Sequence, residues 1–197
     1  MIDIGYYERQ IEKCKEDIKK YEKIIAEAKL TGDIEKRITE RFFELTGVKS
    51  FITKSYYKEE FNGAFFEVGV YYNWGNHCLS SYDRPGKLNS THPSFIHLDA
   101  NDVELNTYVD KLVAIFVDKI QDLFTAKALY RTYEEHEAER AGFDFESYIK
   151  NIEYRIEKII SGMLNPDTEK VKDFIHYLLD SGKVVNHLPE YLDMEEV

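Results

Sequence analysis

Ala64-Phe65-Phe66-Glu67-Val68-Gly69-Val70-Tyr71-Tyr72-Asn73-Trp74 decides the fold: every even position is apolar or aromatic, while Glu67, Gly69 and Asn73 fall on the odd ones. A two-residue period of this kind is that of a half-buried β-strand. Asn62-Gly63 stands directly before it and is a strong two-residue hairpin signal. Folding back there pairs Phe61 with Ala64, Lys58 with Glu67 and Tyr57 with Val68, which sets opposite charges face to face. The partner strand then runs from Phe51 to Lys58. A turn at Asn73-Trp74-Gly75-Asn76, a strand from His77 to Tyr82, an irregular loop over 83–93 and a strand from Ser94 to Leu98 complete an antiparallel sheet of three to four strands.

On the N-terminal side the period is helical. Ile4, Tyr7, Ile11, Cys14, Ile18, Tyr21, Ile25 and Ala28 step alternately by three and four, a heptad seam bordered by charge. Thr31-Gly32-Asp33 reads as the end of one helix and the cap of a second, whose stripe is Ile34, Ile38, Phe42 and Leu45 before Gly47. The expectation is an N-terminal helical hairpin over 1–49 that buries the seam, Cys14 included, inside the chain. The alternative is a homodimer zipped through residues 4–28.

On the C-terminal side Leu105, Val109, Leu112, Phe116, Ile120 and Leu123 form a broad stripe, widened by Val113, Val117 and Phe124, suited to a helix laid across a sheet. A further amphipathic element runs from Phe145 to Ile159 and closes at Gly162; the last starts at Asn165-Pro166 and ends at Gly182. The fold class is therefore α+β, a single domain over 1–197. Its parts are the helical hairpin (1–49), the antiparallel sheet (50–100), a helical segment packed on the sheet (101–182) and an acidic tail (183–197).

The net charge of −11 is uneven. Residues 1–49 carry 11 basic and 11 acidic groups, residues 50–100 carry 4 and 5, and residues 101–197 carry 11 and 21. Direct nucleic-acid binding is disfavoured, since it needs clustered Lys and Arg to displace counterions. An electropositive protein partner, a nucleic-acid-binding enzyme above all, is the natural counterpart of the second half. Glu134, Glu135, Glu137, Glu139, Asp144 and Glu146 are the candidate partner-binding residues. An acidic inhibitor from a phage or mobile element, comparable with anti-CRISPR proteins in charge character alone, is the leading functional expectation. Lysine outnumbers arginine, and isoleucine and tyrosine are abundant, as in AT-rich genomes.

Catalytic motifs are missing: there is no phosphate-cradling glycine loop and no serine elbow, and His136-Glu137-Ala138-Glu139-Arg140 has arginine where a zinc helix needs its second histidine. No cofactor or metal is expected. The alternative is a ligand-binding or hydrolytic enzyme built on loop 83–93, with His77, Asp83, Arg84, Lys87, His92 and His97 as candidate ligand-binding residues; Arg84 and Lys87 are suited to an anionic ligand. A homo-oligomeric scaffold is the second alternative. The opening residues lack a signal-peptide pattern and no apolar run reaches membrane-span length, so no membrane contact and a cytoplasmic location, that of a bacterial host if the chain is viral, are expected.

Overall fold

The computed structural model describes residues 4–72, 84–88, 95–125 and 145–187. In chain order the elements are α1 (Ile4–Thr46), β1 (Ser50–Lys58), a single 3₁₀ turn (Glu59–Phe61), β2 (Gly63–Tyr72), β3 (Arg84–Leu88), β4 (Ile96–His97), α2 (Asp102–Leu123), α3 (Phe145–Lys150), α4 (Ile152–Ser161) and α5 (Thr168–Asp180). The fold is α+β, with a long N-terminal helix, a four-stranded antiparallel sheet and C-terminal helices.

α1 corrects the expected helical hairpin. It is one helix of 43 residues that runs through Thr31-Gly32-Asp33 without a break. Thr31 Oγ1 donates to the Glu27 carbonyl at 2.9 Å, so its hydroxyl is used inside the helix rather than in a turn. Gly32 adopts helical backbone, and the helix stops at Gly47, whose φ of 73° provides the left-handed end. At 1.5 Å per residue α1 is about 64 Å long. The two stripes read from the sequence both exist, on the same rod. At 100° per residue the Ile34, Ile38, Phe42 stripe lies about a third of a turn from the end of the Ile4–Ala28 seam, so burying one turns the other away.

The hairpin also differs from its sequence reading. Lys58 pairs with Gly63, Tyr57 with Ala64, Tyr56 with Phe65 and Lys54 with Glu67. The loop is therefore four residues, Glu59 to Asn62, rather than Asn62-Gly63 alone. Asn62 takes the left-handed position (φ 44°) after the 3₁₀ turn. The shift is an even number of residues, so the inward and outward faces stay as the alternation implies. A bulge between Ile52 and Lys54 then slips β1 by one residue.

β3 corrects the expected loop 83–93: Arg84–Leu88 pairs antiparallel with the C-terminal half of β2, Tyr72 opposite Arg84 and Val68 opposite Leu88. Pro85 and Gly86 argue against a central strand, but β3 lies at the edge of the sheet, where a proline without an N–H is tolerated. β4 pairs with the start of β2 on the same side. The expected strand over His77–Tyr82 lies outside the described residues.

The core sits on one face of the sheet. Ala64, Phe66, Val68, Val70 and Tyr72 point into it from β2, and α2 covers them with Leu105, Val109, Leu112, Phe116 and Ile120 of the stripe read from the sequence, joined by Tyr108. The Tyr108 hydroxyl donates to the Phe66 carbonyl at 3.1 Å, and burial pushes its pKa up to about 12. α1 contributes Ile34, Ile38 and Phe42, with the Phe42 ring edge-on to Phe116 at 5.5 Å. Arg37 donates to the Ala100 carbonyl and to Asp102, which fixes the C-terminal half of α1 to the start of α2. The Gly47 carbonyl accepts from the Asp167 N–H at 2.9 Å, which fixes the end of α1 to α5.

The element expected over Phe145–Ile159 is two helices, divided at Asn151. Its side chain accepts from the Glu153 and Tyr154 N–H groups and caps α4. Arg155 completes this corner. It is fully buried, donating from Nε and Nη2 to the Tyr148 carbonyl, from Nη2 to the Ile149 carbonyl and from Nη1 to Asn186 Oδ1. It also lies over the rings of Phe124 and Tyr148. The last carbonyls of α3, the start of α4 and the segment after α5 thus share one guanidinium.

Candidate interaction surface on the N-terminal helix

Between Ile4 and Leu30, α1 has no buried residue. Ile4, Tyr7, Ile11, Ile18, Tyr21 and Ile25 are each between 54% and 69% exposed, and Cys14 and Ala28 on the same seam are exposed as well. The expectation that the seam packs inside the chain, and that Cys14 is a buried hydrophobe, is thereby corrected. The reason is geometric: the internal partner helix does not exist, because its residues continue the same rod.

Assigned as heptads, Ile4, Ile11, Ile18 and Ile25 occupy position a, and Tyr7, Cys14, Tyr21 and Ala28 occupy position d. Flanking positions carry Glu8, Lys15, Asp17, Glu22 and Lys29, and the helix is laced by pairs such as Glu12–Lys15 and Lys23–Glu27. Solvent-exposed pairs of this kind contribute little. Among the described residues one ion pair ties this stretch to the body, Lys23 with Glu59 at the hairpin tip. In proteins most helical stability comes from packing of an apolar face, and the stretch before Leu30 buries none. The seam is the face available for covering. Its six large residues are each more than half exposed and form one continuous apolar stripe about seven turns long, the kind of exposed patch that marks an interaction site.

A second surface lies at the hairpin tip. Phe61, Phe65 and Phe95 meet edge to face, at 6.0 Å and 5.4 Å from the Phe95 ring, in an open depression of about 620 Å³ rimmed by Glu59, Glu60 and His97. Gly63 makes room for it, since a Cβ there would lie 2.0 Å from Phe95 Cζ. Further along the same outer face, Phe51 and Tyr71 contact at 4.6 Å and Tyr71 and Tyr56 are exposed.

Of the ligand-binding candidates, His97 is described in full. Its Nδ1 lies 2.8 Å from Glu104 Oε1, and its backbone N–H donates to the same oxygen. That backbone hydrogen bond, ahead of the ring contact, holds the Glu104 carboxyl below its ordinary value. His97 thus joins β4 to the first turn of α2. Arg84 and Lys87 fall on β3, where the backbone is described. His77, Asp83 and His92 lie outside the described residues. Among the described residues no group of three or more His, Cys, Asp or Glu could hold a metal ion. Of the partner-binding candidates, Glu146 falls on α3, while Glu134, Glu135, Glu137, Glu139, Asp144 and the tail beyond His187 lie outside the described residues. No helix among the described residues is long and apolar enough to cross a membrane.

Arg155 was not singled out from the sequence. A signal existed: Arg155 falls three residues after Ile152 and four before Ile159, on the apolar stripe of α4, where a charged residue needs internal partners. No family model, no curated protein and no solved structure matches this chain.

Proposed function

We propose that this protein is a self-associating interaction protein, in which the first seven turns of α1 pair two copies and each copy displays an acidic body to an electropositive partner. The observation that carries this reading is the exposed seam from Ile4 to Ala28, with isoleucine at every a position and no buried residue of its own among the described residues. The second half of the reading rests on charge. The seam segment is neutral, so the full −11 is carried beyond residue 49. Pairing doubles the number of acidic surfaces that meet a partner and raises the effective concentration of the second contact. A basic groove on a nucleic-acid-binding enzyme is the partner class this charge fits best, and occupation of that groove would make the protein an inhibitor.

Sedimentation of the wild type beside Ile11→Asp and Ile18→Asp tests the pairing. Each variant puts a carboxylate into the seam and leaves the body's core unaltered. The wild type is expected to sediment as a dimer at micromolar concentration and above, and the variants as monomers with an unchanged main unfolding transition. Identical sedimentation of all three as monomers would remove the proposal.

A further inference from the structure

Resting on the pairing just proposed, we infer that the two copies run antiparallel, with Cys14 of one helix against Ile18 of the other and the two acidic bodies at opposite ends of the paired rod. One observation permits this arrangement and two favour it over a parallel one.

The first is register. An antiparallel coiled coil sets each a residue opposite a d residue of its neighbour. Centred on Glu16, it joins Ile4 with Ala28, Tyr7 with Ile25, Ile11 with Tyr21 and Cys14 with Ile18, then the same pairs in reverse. All eight seam residues find partners, as they would in a parallel pair, so register permits this arrangement while volume and charge select it.

The second is layer volume. In the antiparallel register every layer holds one isoleucine and one other residue. A parallel pair would stack Ile on Ile at a, a favourable layer, but would alternate it with Tyr on Tyr, Cys on Cys and Ala on Ala. The d layers of such a seam swing between overfilled and underfilled from one heptad to the next, and both errors are destabilising.

The third is charge. Residues 1–49 are electrically neutral, so each body carries the whole −11. Parallel pairing brings the points where the two rods enter their bodies to about 10 Å of one another, the spacing of packed helices. Antiparallel pairing about Glu16 places the two Ile34 positions about 54 Å apart at 1.5 Å per residue. That distance is several times the screening length of about 8 Å at physiological salt, so the repulsion vanishes. The seam also faces away from the stripe by which α1 docks, so the neighbouring rod can lie along it without meeting the core.

Dipolar distance measurement between spin labels tests the orientation. Labels are attached at Lys36→Cys, an exposed position on α1, in the full chain carrying Cys14→Ala and Cys78→Ser. The expected separation is about 60 Å, since Lys36 lies twenty residues from the centre of the pairing on each rod. A separation of about 20 Å or less in a dimeric sample overturns the antiparallel arrangement and leaves the pairing standing. A monomeric sample of folded chain overturns both. Oxidation of unlabelled protein provides a second reading that does not depend on the label. In a Cys78→Ser chain treated with a mild disulfide-forming oxidant, adding Ile18→Cys is expected to yield a covalent dimer through Cys14. Efficient dimer formation by Cys14 alone overturns the antiparallel arrangement.

Discussion

Replacement of Gly32 by alanine has opposite signs for one continuous rod and for two helices joined by a turn. In the structure Gly32 lies inside α1, two residues before the fully buried Ile34, and a Cβ built there meets nothing within 4 Å. Alanine at such a site keeps the helix and gains about 0.8–1.0 kcal/mol of helix propensity over glycine. For a chain of this size that corresponds to a rise in Tm of about 2–4 °C. If Gly32 instead ended a helix in the left-handed region, alanine would lose stability by a similar or larger amount. Thermal unfolding followed by circular dichroism reads the sign directly. Gly47→Ala is the matched control: its φ is 73°, and a Cβ would lie 2.9 Å from both Val171 Cγ2 and Val171 N, so it must destabilise. A fall in Tm for Gly32→Ala comparable with that for Gly47→Ala would refute the single helix, and with it the geometry that leaves the seam uncovered.

Arg155→Met is expected to cost about 3 kcal/mol or more in urea unfolding, because the carbonyls of Tyr148 and Ile149 and the Asn186 amide oxygen lose their donor; an effect below about 1 kcal/mol would contradict its role at the corner. Tyr108→Phe removes one buried hydrogen bond to the Phe66 carbonyl and is expected to cost about 1–2 kcal/mol, with the ring's packing retained. Glu104 and Glu153 both have carboxyls held below their ordinary value of 4.5, the first by the His97 N–H and the second by the Lys172 ammonium, ahead of His176. A carboxyl whose pKa is lower folded than unfolded adds stability above the unfolded value and loses it as the pH falls from 4.5 toward the folded one. Glu153→Gln should therefore flatten the acid limb of a stability-against-pH curve; an unchanged limb would show that the contact between α4 and α5 contributes nothing there.

Periodicity made the sheet and its covering helix legible. The even positions of β2 and the stripe from Leu105 to Leu123 needed only alternation and a 3.6-residue repeat, and both are buried where those repeats put them. Local turn chemistry was the weaker guide. Asn62-Gly63 marks a real reversal, yet a 3₁₀ turn at Glu59–Phe61 takes part of it and moves the register by four residues. Thr31-Gly32-Asp33 has every mark of a break, but the helix continues, with the Thr31 hydroxyl bonded back to the Glu27 carbonyl inside it. The exposed seam was visible as a heptad; that the stripe after Gly32 does not fold back to cover it was not, because this depends on the phase between two stripes along one rod. Asn151, which divides α3 from α4, acts through a cap that breaks no apolar repeat.

Amide hydrogen exchange resolved along α1, measured at low and high protein concentration, tests the account most directly. Protection should run without interruption through Gly32 and stay strong from Ile34 to Thr46 at every concentration, as the buried stripe requires. Between Ile11 and Ala28 it should rise with concentration, as pairing covers the seam, and Ile18→Asp should abolish that rise. Rapid exchange of the whole stretch before Ile34 at all concentrations, or a gap in protection at Thr31-Gly32-Asp33, would contradict the reading of α1 as one rod whose free half exists to be paired.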